Sequence, residues 1–270
     1  MNTQQQVYAI TGGASGMGLA MVRQLLEQGY CVAAADVSAE GGEALRSLAD
    51  EGQLMLTTLD VADREGVSDW AAAVVAHFGG VDVVINNAGV SLSCHAGEQA
   101  REHFEWLMNI NFWGVVNGCE AFLPYLKSRP AGCIVNISSL FGLIAMPSQS
   151  AYNAAKFAVR GYSESLRQDL RNTSVSVVTV HPGGIKTNIA RNGRHFHNLH
   201  GERSDGDTMA ASFDEVARTS ADSAAAQILR AAQRRRRRLL IGADAKLLDW
   251  VQRCFPASYD RLLRPLLERA

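Results

Sequence analysis

The sequence predicts an α/β fold: a doubly wound parallel sheet of about seven strands, with helices on both faces in three layers. Three observations predict it. Short apolar runs alternate with longer amphipathic stretches from residue 7 onward. The runs are continuously apolar rather than alternating, the pattern of strands buried on both faces. The first run also leads straight into a glycine-rich turn that opens a helix.

Taken in order, Val7-Tyr-Ala-Ile10 is the first strand, and a helix follows over 16–29. Cys31-Val-Ala-Ala-Ala35 is the second, with helical periodicity near 39–51. Leu54-Met-Leu-Thr57 and a helix near 63–78 come next, then Val81-Asp-Val-Val-Ile85 and a long helix near 99–128. Cys133-Ile-Val-Asn-Ile137, a helix near 150–171 and Val175-Ser-Val-Val-Thr-Val180 continue the alternation. A helix near 213–237 precedes the last strand, Leu239-Leu-Ile241. Two stretches depart from it. Residues 186–212 are polar and rich in His, Arg and Gly, as expected of a mobile excursion lying over a substrate. Residues 243–270 place Trp250, Phe255, Leu262, Leu263, Leu266 and Leu267 periodically, as expected of a tail packed on the domain or on a neighbouring subunit. No Pro/Ser-rich linker divides the chain, so residues 1–270 read as one domain with its core at 5–242.

Composition excludes several function classes. An apolar fraction of 47% with 20% charged residues suits a globular chain of 270 residues with a large core. With 26 basic and 27 acidic residues, the chain as a whole has no pull toward nucleic acid or anionic membrane. The five-arginine run Arg234–Arg238 falls where a helix should end, and there it complements the helix dipole. Cys31, Cys94, Cys119, Cys133 and Cys254 are scattered, which argues for free thiols in a reducing compartment. Met1-Asn-Thr-Gln-Gln-Gln6 lacks the basic and apolar regions of a secretory signal. No stretch approaches the ~18 apolar residues of a membrane span, so a cytoplasmic protein is expected. The His195/His197/His200 cluster has no zinc-type spacing, and no metal is expected.

Thr11-Gly-Gly-Ala-Ser-Gly-Met-Gly18 lies between a strand and a helix. Gly12, Gly16 and Gly18 allow a tight turn, close approach of backbone to a pyrophosphate, and close helix–sheet packing. The helix N-terminus offers free N–H groups to that anion. Asp36 follows the second strand, about twenty residues on, where a carboxylate accepts hydrogen bonds from ribose hydroxyls and repels a 2′-phosphate. Neither Ser15 nor Val37 supplies a cation for such a phosphate. NAD is therefore favoured over NADP.

Tyr152 and Lys156 stand four residues apart, on one face of a helix. An ammonium beside a phenol favours the phenolate and prepares it for proton transfer at an alcohol or ketone oxygen. By itself the spacing fits a solvated pair equally well.

The whole set resembles the short-chain dehydrogenase/reductase family, in its compact one-domain branch with a Rossmann-type sheet, over roughly residues 5–242. The resemblance rests on Thr11-Gly-x-x-x-Gly-x-Gly18, Asn86-Asn-Ala-Gly89, the series Ser139…Tyr152…Lys156, and Pro182-Gly183. It implies that Gly12, Ser15, Gly16, Met17 and Gly18 hold the dinucleotide, although Met17 replaces a more usual branched aliphatic. Asp60 and Val61 would meet adenine, and Asn87, Ala88 and Gly89 would line the adenosine side. Pro182, Gly183, Ile185 and Thr187 would flank the nicotinamide, with Ile185 offering backbone and Thr187 a hydroxyl. Ser139, rather than Ser138, would orient the reacting oxygen. Tyr152 would be the general acid/base, Lys156 its tuner and ribose ligand, and the positive charge of NAD⁺ would assist. The carbonyl of Asn111 would hold a relay water, with Asn109 nearby as a competing assignment.

The implied reaction is hydride transfer between a secondary alcohol and a ketone. Leu140, Phe141, Leu143, Ile144 and Met146 suggest a lipophilic substrate, while Lys186, Arg191, Arg194 and Arg203 pull toward an anionic one. The alternatives are an NADP-dependent carbonyl or acyl-thioester reductase, and a dinucleotide-binding sensor without turnover. Helices such as those near 99–128 and 150–171 build dimer faces in that family, so the resemblance also implies a homo-oligomer, dimer or tetramer.

Overall fold

Seven strands, all parallel, form the central sheet of the computed structural model, which describes residues 5–38, 43–198, 200 and 202–267. They are β1 Val7–Thr11, β2 Cys31–Asp36, β3 Leu54–Thr58, β4 Val83–Asn86, β5 Cys133–Ile137, β6 Ser176–Pro182 and β7 Arg238–Ile241. Their order across the sheet is β7-β6-β5-β4-β1-β2-β3. The direction of progression reverses at β1, which pairs with β2 on one side and β4 on the other.

Period-two geometry explains the continuous apolar runs. Along β1, Tyr8 and Ile10 face one helical layer and Val7 and Ala9 the other. The first layer holds α1 (Gly16–Glu27), the short α2 (Glu43–Arg46) and α8 (Ala221–Gln233). The second holds α3 (Arg64–Phe78), α5 (Gly114–Lys127) and α6 (Ser150–Asp169), where Trp70 and Phe122 pack edge to face at 5.1 Å. Local chemistry sets the helix ends. Asp63 caps α3 by accepting from Glu65 and Gly66 N–H, and Gly79 ends it in the left-handed region.

The structure differs from the expected elements in three places. The long helix near 99–128 is α4 (Arg101–Met108) and α5, joined by a π-turn at Asn109–Trp113 in which Gly114 N–H reaches Asn109 C=O. The helix near 213–237 is shorter, because Ser220 caps α8 and a separate α7 (Gly206–Val216) precedes it. The 186–212 excursion carries a short strand of its own. Its Arg194–His195 pairs with Leu92–Ser93, and the Ser93 hydroxyl meets His195 Nδ1 at 2.8 Å. Residues 39–42 of the second helical segment, 199 and 201 of the excursion, and 268–270 of the tail lie outside the described residues, as do the side chains of Leu266 and Leu267.

The tail forms α9 (Ala243–Cys254) and α10 (Tyr259–Leu267). Ala245 and Leu263 bury against Leu140 and Ile144, and the Tyr259 hydroxyl accepts from Ala145 N–H at 3.0 Å.

A buried polar chain ties α6 to the sheet. Asn86 Nδ2 donates to Asn136 Oδ1 (2.8 Å), and Asn136 Nδ2 donates to the Ser163 hydroxyl (2.9 Å). Asn86 Oδ1 presses on Gly118 of α5, where any Cβ would overlap it. Gly118→Ala gains about 1 kcal/mol of helix propensity but overpacks a hydrogen-bonded neighbour, typically at about 1–3 kcal/mol. Net destabilisation is expected, read as a lower urea midpoint. A variant as stable as the parent would show that Asn86 can move.

Candidate active site

The site stands on the carboxyl ends of the strands. Gly12 (φ +65°) and Gly16 (φ +51°) adopt the left-handed conformation the turn requires. A Cβ at Gly12 would crowd Ala88 and Asn87, and one at Gly18 would overlap the Gly12 carbonyl. Ser15 precedes α1 in extended conformation, but its side chain caps nothing, and the first turn carries no acid. The leading N–H groups of α1 are thus left for an anion, which fits a pyrophosphate. Met17 is half-buried against the core.

The turn is bolted to β4. Thr11 Oγ1 accepts from Asn87 N–H (3.0 Å) and Ala88 N–H (3.1 Å), while Asn87 Nδ2 donates to the carbonyls of Thr11 (2.9 Å) and Gly12 (3.2 Å). Asp36 aims at the same turn, accepting from Ala14 N–H at 2.9 Å and Ser38 N–H at 3.1 Å. It lines a small cleft of about 80 Å³ with Gly13, Ser38 and Arg46. Farther along, Asp60 is exposed, and Val61 is buried beneath Gly114.

The end of β5 and α6 carry Ser138, Ser139, Tyr152 and Lys156. The two serines diverge. Ser138 donates to the Lys156 carbonyl (2.8 Å), whereas Ser139 accepts from Phe141 N–H (3.0 Å) and stands near enough to the Tyr152 hydroxyl to pull its pKa down. The ammonium of Lys156, 3% exposed, donates to the Ile137 carbonyl at 3.1 Å and lies 5.7 Å from the Tyr152 ring centre. Asn111 is fully buried within the π-turn, and its amide closes a double hydrogen bond with Val90, 2.8 Å from N–H to Oδ1 and 2.9 Å from Nδ2 to C=O. Gly89 lies between Asn111 and Lys156, since a Cβ there would sit 3.2 Å from Asn111 Oδ1 and 3.5 Å from Lys156 Nζ. The π-turn widens the helix at this point, with Gly114 N–H bonded to the Asn109 carbonyl.

The electrostatics part from the sequence expectation. Burial pushes the Tyr152 phenol up, against a smaller downward pull from Ser139. Burial also draws Lys156 down to about 8. Desolvation penalises both charged forms, so the lysine alone does not bring the phenol into range.

Past β6, Pro182 and Gly183 lead to Ile185, 3% exposed, and to Thr187, which reaches over Gly16. Two residues here escaped the sequence reading. Asp244, from the first turn of α9, accepts from Gly184 N–H at 2.7 Å and packs on Gly183. His181 is fully buried behind Ser139, with Nδ1 3.1 Å from the Ser139 carbonyl, and burial draws its pKa down to about 4. The proximity of His181 to the Pro-Gly pair was the available signal; Asp244 gave none.

On the substrate side, Leu140, Leu143 and Ile144 are buried, and Phe141 meets Tyr152 edge to face at 6.1 Å. Beyond the reacting residues, a polar hollow of about 750 Å³ opens between Cys94–His103 and the excursion. Arg194 is taken up there, stacked 4.0 Å over Trp106 and bonded to His103. His197 meets Glu98 at 3.3 Å, and among the described residues no group of His, Cys, Asp and Glu is placed to hold a metal.

Comparison with known proteins agrees with this arrangement. The family model described as short chain dehydrogenase matches residues 6–198. SadH of Mycobacterium tuberculosis, which bears an oxidoreductase name, is 43% identical over 96% of this chain and 94% of its own. A short-chain dehydrogenase/reductase from Burkholderia phymatum, solved with NAD, superposes with a TM-score of 0.85 at 25% identity, covering 94% of this chain and 95% of that one. A serine dehydrogenase solved with NADP⁺ gives 0.77 at 26% identity, over 87% and 94%. The protein belongs to the short-chain dehydrogenase family and is an oxidoreductase of the kind that works with a nicotinamide dinucleotide.

Proposed function

We propose that the protein interconverts a secondary alcohol and a ketone, lipophilic in character, with NAD as the preferred dinucleotide and Tyr152 as the proton-transferring group. The observation that carries this reading is the meeting of Ser139, Tyr152 and Lys156 at the sheet edge that holds the glycine turn. Gly12, Ser15, Gly16, Met17 and Gly18 hold the pyrophosphate, and Asp36 the adenosine ribose. Asp60, Val61, Asn87, Ala88 and Gly89 line the adenosine side, while Pro182, Gly183, Ile185 and Thr187 line the nicotinamide side.

When bound, the nicotinamide supplies or accepts the hydride. Tyr152 gives its proton to the substrate oxygen in reduction and takes one in oxidation. Ser139 orients that oxygen by a hydrogen bond that strengthens as negative charge develops. Lys156, still largely cationic at neutral pH, favours the phenolate and holds ribose hydroxyls. Asn111 positions the relay that restores the proton. The apolar wall of Leu140, Leu143 and Ile144 supports a lipophilic substrate, and the engagement of Arg194 with Trp106 weakens the anionic reading. Residues 186–212 cover the substrate as a tethered lid. Exposure of Trp113 and Phe157 beside α5 and on α6 supports subunit pairing there.

Tyr152→Phe is expected to lower kcat by at least about a hundredfold while NADH binding, followed by fluorescence, persists; substantial turnover in the purified variant would overturn the assignment. Asp36→Asn keeps an acceptor for Ala14 N–H but removes the charge. It should move the NAD/NADP ratio of kcat/KM toward NADP by roughly tenfold or more, the worth of a charged hydrogen bond. An unmoved ratio would show that Asp36 does not read the ribose.

Lys156 also has a pH signature in stability. A lysine unfolds to an ordinary value of 10.5, against about 8 in this fold. Between these values the unfolded chain binds the extra proton, so this contribution to stability rises with pH. Urea unfolding should show a gain of about 2 kcal/mol from pH 8 to 10 relative to Lys156→Met. Parallel profiles would mean that Lys156 is solvated.

A further inference from the structure

Helix α9 packs Ala245 and Leu248 on the domain and leaves a second apolar stripe outside. Its inner face carries Ala245 and Asp249, both buried, with Asp249 held by Arg238 (3.0 Å from Nη1) and Arg253 (3.2 Å). Its outer face carries Leu247 (57% exposed), Trp250 (60% exposed) and exposed Cys254, at the i, i+3, i+7 spacing of one helical stripe. Exposed Phe255 continues the ridge past the helix end, and exposed Leu262 adds to it from α10. Single exposed hydrophobics are ordinary; a ridge of them marks a contact surface.

The ridge has a cationic border. Residues 234–262 hold eight Arg and Lys against three Asp, in a chain whose net charge is −1. Of those acids, Asp249 is spent inward and Asp244 bonds Gly184, leaving Asp260 exposed on α10. Arg234–Arg237 are exposed and make no ion pair among the described residues. Because Arg238 opens β7 and holds Asp249, α9 doubles back along β7 toward that run, and Trp250 follows directly after Asp249.

We propose that this ridge docks the protein on the surface of an anionic lipid bilayer. Leu247, Trp250 and Phe255 enter the headgroup boundary, and Arg234–Arg237, Lys246 and Arg253 meet lipid phosphates. Charge selects this occupant over a second copy of the chain, because two-fold pairing sets the same cationic blocks face to face. The inner side of α9 shares a cluster with Leu140 and Ile144, so a docked bilayer lies one helix away from the wall of the substrate site. That last consequence rests on the lipophilic-substrate reading; the docking does not.

Flotation of the purified full chain tests it without any activity assay. The protein should float with vesicles of phosphatidylcholine mixed with phosphatidylserine, not with phosphatidylcholine alone, and high salt should release it. Leu247→Asp with Trp250→Asp, checked for folding by circular dichroism, should reduce the bound fraction at least about tenfold. Replacing Arg234–Arg237 by Gln should do the same. As a second measurement, mixed vesicles should shift the tryptophan emission of the parent to the blue, and Trp250→Phe should float without most of that shift. Absence from mixed vesicles overturns the proposal. So does undiminished flotation of the Asp variant, or dissociation of an oligomer by that variant in light scattering, which would assign the ridge to subunit contact.

Discussion

The hydroxyl of Thr11 holds the two halves of the sheet in register where the site needs them. Strand order reverses at β1, so the connections leaving β1 and β4 diverge and open a crevice above their carboxyl ends. Thr11 Oγ1 accepts both Asn87 and Ala88 N–H across that crevice, and the Asn87 amide returns the contact to two carbonyls of the glycine turn. The turn therefore cannot shift relative to β4 without losing four partly buried hydrogen bonds at once. Other site residues take their positions from this bolt. Asp36 is fastened to the turn through Ala14, and Gly89 lies two residues past Asn87 between Asn111 and Lys156.

The second half of the site depends on how α6 is seated. Lys156 is committed to the sheet from both ends, with its carbonyl accepting from Ser138 and its ammonium donating to Ile137. Deeper in, Asn136 and Ser163 repeat the attachment. Such fixing keeps an ammonium in a dry position where it otherwise favours neutrality. The same dryness raises the phenol, which favours its protonated form at rest. Lowering it toward transfer requires positive charge beyond Lys156, and the adjoining dinucleotide crevice is where such charge would arrive.

Much of this was legible in sequence because burial on both faces writes a strand as an unbroken apolar run. Cys133–Ile137 was read to the residue, and the fourth strand was displaced by two residues at its start and one at its end. The glycine turn and the Tyr152–Lys156 spacing were legible for a related reason: both obey local geometry. The π-turn at Asn109–Trp113 was not, since one residue added to a helical turn leaves the apolar period nearly unchanged. Nor was Asp244, whose partner Gly184 lies sixty residues away and meets it only because α9 begins beside β6. The phenol's resting state was misjudged for want of one quantity, desolvation, which spacing does not encode.

The tail shows the same limit in a sharper form. Periodicity in 243–270 tells which residues share a face, but not which face turns inward. In α9 that choice falls to Asp249. A carboxylate is tolerated in a buried position only with a charged partner, and Arg238, at the start of the edge strand, provides one. Once Asp249 points at β7, the helix is rotated so that Leu247 and Trp250 must point outward. The arrangement also lays α9 against the side of β7 that carries Leu240. One ion pair thus seats the helix and sets the apolar ridge together, so a change at Arg238 or Asp249 reaches both.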